Sequence, residues 1–118
     1  MADLSKLKIC SFNASGLREK PKFISILNYM KNSKMDVILL QETHLVDDDI
    51  NYLKKVWQGE FHLSGDTTNS KGVLTLFAKH ISRESIVFVN KTDRIITSRL
   101  QSADGSHRNF FYFKCVRP

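Results

Sequence analysis

Met35-Asp36-Val37-Ile38-Leu39-Leu40-Gln41-Glu42-Thr43-His44 is the stretch whose reading decides the fold. Val37 to Leu40 is an unbroken apolar run with two β-branched residues, too short for a helix of its own. Such a run predicts a strand buried on both faces, as occurs in sheets covered by helices. It gives way at once to Gln41, Glu42, Thr43 and His44. A carboxylate at the end of a buried strand is costly unless a cation or a hydrogen-bond donor meets it. In sheets of parallel strands with crossover helices, ligand sites lie outside the carboxyl ends of the strands. Glu42 is therefore the first candidate functional residue; taken alone, it could equally be the first solvated residue after a strand.

Working outward, Leu7 to Phe12 predicts a strand, ended by the turn residues Asn13-Ala14-Ser15-Gly16. Pro21 suits a first helical turn, and Phe23, Ile26, Leu27 and Met30 recur at helical spacing, so residues 21–33 are expected to form an amphipathic helix. Strand, helix and strand make one βαβ unit, whose strands are parallel and point Asn13 and Glu42 the same way. Asp47-Asp48-Asp49 is expected to open a second helix at its positive dipole end, with Ile50, Leu53, Val56 and Trp57 as its inner stripe, Trp57 as a core anchor and Gly59 as its stop. Strands follow at Phe61–Ser64, Val73–Ala78, Ile86–Val89, Arg94–Gln101 and Asn109–Val116, the later ones joined by turn residues as a meander. The Gly65–Lys71 stretch reads as a polar loop. The chain stops at Pro118 directly after a strand, which suggests a domain cut short.

At 118 residues the chain has room for one modest domain with a core. Its formal charge of +6, from 18 Lys and Arg against 12 Asp and Glu, suits a polyanionic partner such as DNA, although no basic run concentrates it. Cys10 and Cys115 have no metal-ligand spacing and read as two buried free thiols. No apolar signal core or membrane-length run is present, so no membrane role is expected and the protein should be intracellular, nuclear or cytoplasmic. Phosphate-cradling glycine loops, zinc spacings and nucleophile elbows are missing. What remains is an amide, Asn13, and a carboxylate, Glu42, at neighbouring strand ends of a basic protein. That pair suits a hard dication such as Mg²⁺, which takes oxygen ligands and only one or two carboxylates beside water and phosphate.

Three segments together carry a resemblance: Ser11-Phe12-Asn13-Ala14-Ser15-Gly16-Leu17, Asp36 to Leu45, and Lys71-Gly72-Val73-Leu74-Thr75-Leu76-Phe77. In this order and spacing the chain resembles the endonuclease/exonuclease/phosphatase family, most of all the apurinic-type endonuclease domains of LINE-type retrotransposons. The resemblance covers nearly the whole chain but only the first half of that domain, so residues 1–118 are expected to be a partial domain. It implies an α+β fold, the N-terminal half of a four-layer, DNase I-like sandwich, here with one mixed sheet and two helices on one face. It implies cleavage of DNA phosphodiester bonds with Mg²⁺, or Mn²⁺ in its place. Asn13 matches the family's active-site Asn and Glu42 its metal-binding Glu, both within the expected metal and catalytic set. Arg18, His44, Ser70 and Lys71 fall where related enzymes approach the DNA backbone.

The chain also departs from the family. An Asn-x-Tyr-x-Pro segment is replaced by Lys114-Cys115-Val116-Arg117-Pro118, and the later acid/base segments have no counterpart. None of His44, His62, His80 and His107 is followed by the partners that a general base needs. A phosphodiesterase half-domain, inactive by itself, is thus the first reading; a non-catalytic nucleic-acid or protein-binding module on the same fold is the alternative. One sheet covered by helices on one side only would leave an apolar face open, and self-association or a covering partner is expected from it.

Overall fold

The computed structural model describes residues 7–64, 72–92, 95–101 and 110–116, the last of these as backbone only. β1 (Ile9–Asn13), α1 (Lys20–Ser33) and β2 (Val37–Gln41) form the expected βαβ unit, with β1 and β2 parallel and Asn13 in register with Gln41. Pro21 sits in the first turn of α1, where its missing N–H leaves no bond unmade, and Phe23, Leu27 and Met30 are its buried stripe. Asp47–Asp49 is a single 3₁₀ turn before α2 (Ile50–Val56), with the Asp49 carboxylate accepting a 2.8 Å bond from the Val46 N–H. β3 (Phe61–Ser64) and β4 (Val73–Phe77) complete a four-stranded sheet in the order β1-β2-β4-β3, in which only β1 and β2 run parallel. The Gly65–Lys71 loop expectation lies outside the described residues.

The last three strands, β5 (Ile86–Lys91), β6 (Ile95–Gln101) and β7 (Phe110–Val116), form the expected antiparallel meander. They do not extend the first sheet. They make a second, three-stranded sheet of their own, which corrects the expectation of one sheet holding every strand. The second sheet lies over the face of the first that the helices leave free. Ile96 packs with Val73 and Leu39; the His62 ring nitrogen Nδ1 lies 2.7 Å from the Ser98 hydroxyl; and the Ser64 hydroxyl donates to the Thr92 carbonyl. All five residues of β4 are buried, because helices cover one face and the second sheet the other. The face from which self-association was inferred is therefore covered by the chain itself over β4, while Ile9 of β1 is exposed on it.

Strand pleat assigns the two faces. Ile38 and Leu40 pair with Leu76 and Leu74, and these four share a buried cluster with Leu17, Phe23, Leu27, Met30, Leu53 and Trp57. Leu39, Val73 and Thr75 point the other way, towards the second sheet. Trp57 anchors the far end of the sheet, its indole N–H shared between the carbonyls of Phe77 at 3.1 Å and Glu60 at 3.3 Å. Cys10 is half-buried and reduced, and burial pushes its thiol above the usual range. The Cys115 side chain is outside the described residues.

Candidate functional site

The carboxyl ends of β1 and β2 continue pairing beyond the strands. The Ala14, Gly16 and Leu17 amides donate to the carbonyls of Gln41, Glu42 and Thr43 at 2.8, 2.7 and 2.7 Å. This zip holds the loop after Asn13 flat against the loop after Gln41. To make it, the backbone adopts left-handed conformations at Ser15 (φ 51°), Gly16 (φ 90°), Glu42 (φ 53°) and His44 (φ 59°). A non-glycine residue held there costs of order 1 kcal/mol, and such strain gathers where surrounding structure fixes a functional geometry. Gly16 is needed twice over, since a Cβ on it would stand 3.2 Å from the His44 Nδ1. Gly72, at the entry of β4, accepts from the Thr43 amide at 3.3 Å and itself has φ 62°. A Cβ on Gly72 would meet the Thr43 hydroxyl at 2.7 Å.

Within this frame the amide of Asn13 is oriented by its own turn. Its Oδ1 accepts from the Ser15 backbone N–H at 2.8 Å and from the Ser15 hydroxyl at 3.2 Å. Because a backbone N–H can only donate, the oxygen must face the turn and the NH₂ is left to face outward. Glu42, half-buried, follows the last residue of β2 directly, one residue beyond the Gln41 that pairs with Asn13. The Gln41 side-chain NH₂ donates to the Ser11 hydroxyl at 2.8 Å, tying the two strand ends together on that face.

Arg18 and His44 also come to this end. The Arg18 guanidinium donates to the His44 carbonyl at 3.4 Å and lies 3.7 Å from the Asp49 carboxylate. Both residues line a cleft of about 250 Å³ together with Ser15, Gly16, Glu19 and Lys22. Ser70 and Lys71 lie outside the described residues. Lys22 belongs to the site although sequence reasoning passed over it: its ammonium donates to the Ser15 carbonyl at 3.2 Å, and it also lines the hollow beside Asn13. A signal for it exists in the sequence. The first turn of α1 carries no acid and holds Lys20 and Lys22, the reverse of what the helix dipole favours in a purely structural helix. Two lysines beside a positive helix end suit an incoming anion.

The donors fit a hard oxygen-seeking ion in a particular way. Glu42 offers a carboxylate, while the Asn13 oxygen is already engaged twice and the Asn13 NH₂ is suited to a phosphate oxygen. No group of three or more His, Cys, Asp or Glu side chains gathers among the described residues, so no closed zinc cage is built from them. No His–carboxylate pair occurs at this end among the described residues. His80 pairs with Asp36 at 2.7 Å at the opposite end of the sheet, and His62 is enclosed between the sheets.

The model of the Endonuclease/Exonuclease/phosphatase family matches residues 10–114. A search of curated proteins found no match. Among solved structures, the chain is similar to the crystal structure of an AP endonuclease from Leishmania major, with a TM-score of 0.67 at 19% identity. That alignment takes in 98% of this chain and 41% of the other, so the chain spans about two fifths of that structure's length. At this identity the likeness concerns the fold alone.

Proposed function

The chain belongs to the endonuclease/exonuclease/phosphatase family, and on that premise we propose that it is the metal- and phosphate-holding half of a DNA phosphodiesterase site of LINE retroelement type. The observation that supports this reading is the strained zip that joins the loops after β1 and β2, the loops that follow Asn13 and carry Glu42. Glu42 would hold Mg²⁺, with Mn²⁺ able to replace it. Asn13, its NH₂ facing outward, would donate to a non-bridging phosphate oxygen. Arg18, Lys22 and His44 would receive the neighbouring phosphates, with Ser70 and Lys71 assigned to the same backbone. When bound, such an ion polarises the phosphoryl oxygen and offsets charge on the departing one.

Among the described residues no imidazole at this end is paired with a carboxylate, the arrangement that strengthens a general base. On the reading proposed, the chain alone binds metal and DNA backbone without turning over. Isothermal calorimetry with MgCl₂ and plasmid nicking test both halves of the proposal. Glu42→Gln should weaken Mg²⁺ binding by roughly tenfold or more, since a carboxylate–dication contact is replaced by a neutral one. Equal Mg²⁺ affinity in the two proteins would remove Glu42 from the site. Nicking by the wild-type chain would show that it carries its own base. DNA binding should be sequence-independent and fall roughly tenfold or more between low and moderate salt; a salt-independent isotherm would rule out phosphate contacts as its source.

A further inference from the structure

The end of the first sheet remote from Glu42 holds a hollow. It has a volume of about 780 Å³ and lies between the carboxyl ends of α1 and α2 and the turn after β4. Its floor is apolar, made by Met30, Met35, Trp57 and Ala78. Its rim carries Lys31 and Lys34 on one side and Lys79, beside His80, on the other. No carboxylate lines it. The adjacent acid, Asp36, accepts from the Lys8 N–H at 2.8 Å and pairs with His80 at 2.7 Å, so its carboxylate meets the rim only through His80. Among the described residues none of the three lysines is given to an ion pair. The last carbonyls of α1 face this way and would by themselves repel an anion by about half a charge, which two full positive charges at Lys31 and Lys34 outweigh.

An apolar floor beneath three lysines that no ion pair among the described residues takes up is a mixed demand. A phosphate alone would leave the floor unused, and a wholly apolar body would leave the lysines uncompensated. A DNA duplex is too wide for a hollow of this size, whereas small organic ligands commonly fill pockets of about 300–1,000 Å³. We propose that this hollow is a binding site for an amphipathic organic anion, an aromatic or aliphatic body carrying a single sulfonate, carboxylate or phosphate group. The body lies over Met30, Met35 and Trp57, and the head group meets Lys34 and Lys79 across the rim. The site is independent of the metal and phosphate site, because it opens at the other end of the strands.

The test uses the full 118-residue chain and anilinonaphthalene sulfonate, a fluorescent probe of this class. Trp57 is the only tryptophan of the sequence, so energy transfer from it to the dye reports binding at this end of the molecule. The wild-type protein should show saturable transfer from Trp57. The double variant Lys34→Glu/Lys79→Glu, altered only at exposed side chains, should bind roughly tenfold more weakly, as expected for exchanging two favourable charges for two unfavourable ones. Uncharged phenylnaphthylamine should bind the wild type more weakly than the sulfonate does and be indifferent to the two substitutions. A thermal melt that matches wild type shows that the variant is folded; if it melts lower, the single variant Lys79→Gln replaces it, with a smaller loss expected. Unchanged sulfonate affinity in the folded variant, or equal affinity of the neutral dye, would overturn the proposal.

Discussion

The two ends of the four-stranded sheet are built on opposite terms. At one end the chain leaves β1 and β2 through left-handed turns at Ser15, Gly16, Glu42 and His44, and their side chains are half-buried or exposed. At the other, Trp57 is enclosed with its N–H bonded to Phe77 and Glu60, and Asp36 ties the start of β1 to the turn after β4. One end spends stability on geometry and the other supplies it. The difference teaches how each end serves: strain held in place by a network of backbone bonds shapes the loops of the proposed metal and phosphate site, whereas the saturated anchor supports the sheet beneath the proposed ligand hollow.

The largest effect should come from the anchored end. Trp57→Ala removes a buried indole and leaves the Phe77 and Glu60 carbonyls without their donor, at a cost of about 3–5 kcal/mol. Thermal and urea melts would show it; a loss under about 1 kcal/mol would mean that this end is not the anchor. Next comes Gly72→Ala at the strained end. Its φ of 62° and the 2.7 Å approach to the Thr43 hydroxyl leave no place for a methyl group. It should destabilise by about 1–3 kcal/mol and also disturb metal binding, since Thr43 is next to Glu42. An unaffected Mg²⁺ isotherm would separate Gly72 from the site.

A smaller effect, of opposite sign, sharpens the contrast. Glu42 and Lys34 (φ 58°) are both non-glycine residues in left-handed conformation, one at each end. Lys34 caps α1, where glycine is the favoured residue. Lys34→Gly should raise stability by about 1 kcal/mol and leave Mg²⁺ binding intact, whereas Glu42→Gly should abolish Mg²⁺ binding. A Glu42→Gly protein that still binds Mg²⁺ would take this position out of the site.

The mildest test lies between the ends. Burial pushes the His62 imidazole below the usual histidine range, with Glu60 pulling weakly the other way. The ring sits edge-on to Phe77 and Phe88, at 5.3 and 5.2 Å, in the seam between the sheets. Since the folded state holds this proton less tightly than the unfolded chain does, its contribution to stability is full above the ordinary histidine value of about 6.5 and declines as pH falls below it. Urea midpoints measured from neutral to mildly acidic pH should fall in the wild type and fall less in His62→Gln. Identical pH profiles would place the acid sensitivity in other groups.

Much of this was legible from local pattern. The run from Val37 to Gln41 declared its strand, and Phe23, Leu27 and Met30 their helix face, because period and composition report how one segment meets its surroundings. The βαβ rule then put Asn13 and Glu42 at the same end without any knowledge of side chains. Other features were beyond its reach. Val73 to Phe77 read as apolar on both faces, but no local signal names the layer that covers the second face. Strand pairing is a contact between distant residues, and the same alternation serves a strand in either sheet. Only the folded chain decided that the meander of β5, β6 and β7 stands as a sheet of its own and lies across Leu39, Val73 and His62. The direction of the Asn13 amide was likewise settled by its bonds from Ser15, and the left-handed turns at Glu42 and His44 go with the backbone zip between two loops. Sequence determined which residues meet at the strand ends; tertiary structure determined which atoms they present there, because hydrogen-bond geometry is fixed only when both partners are in place.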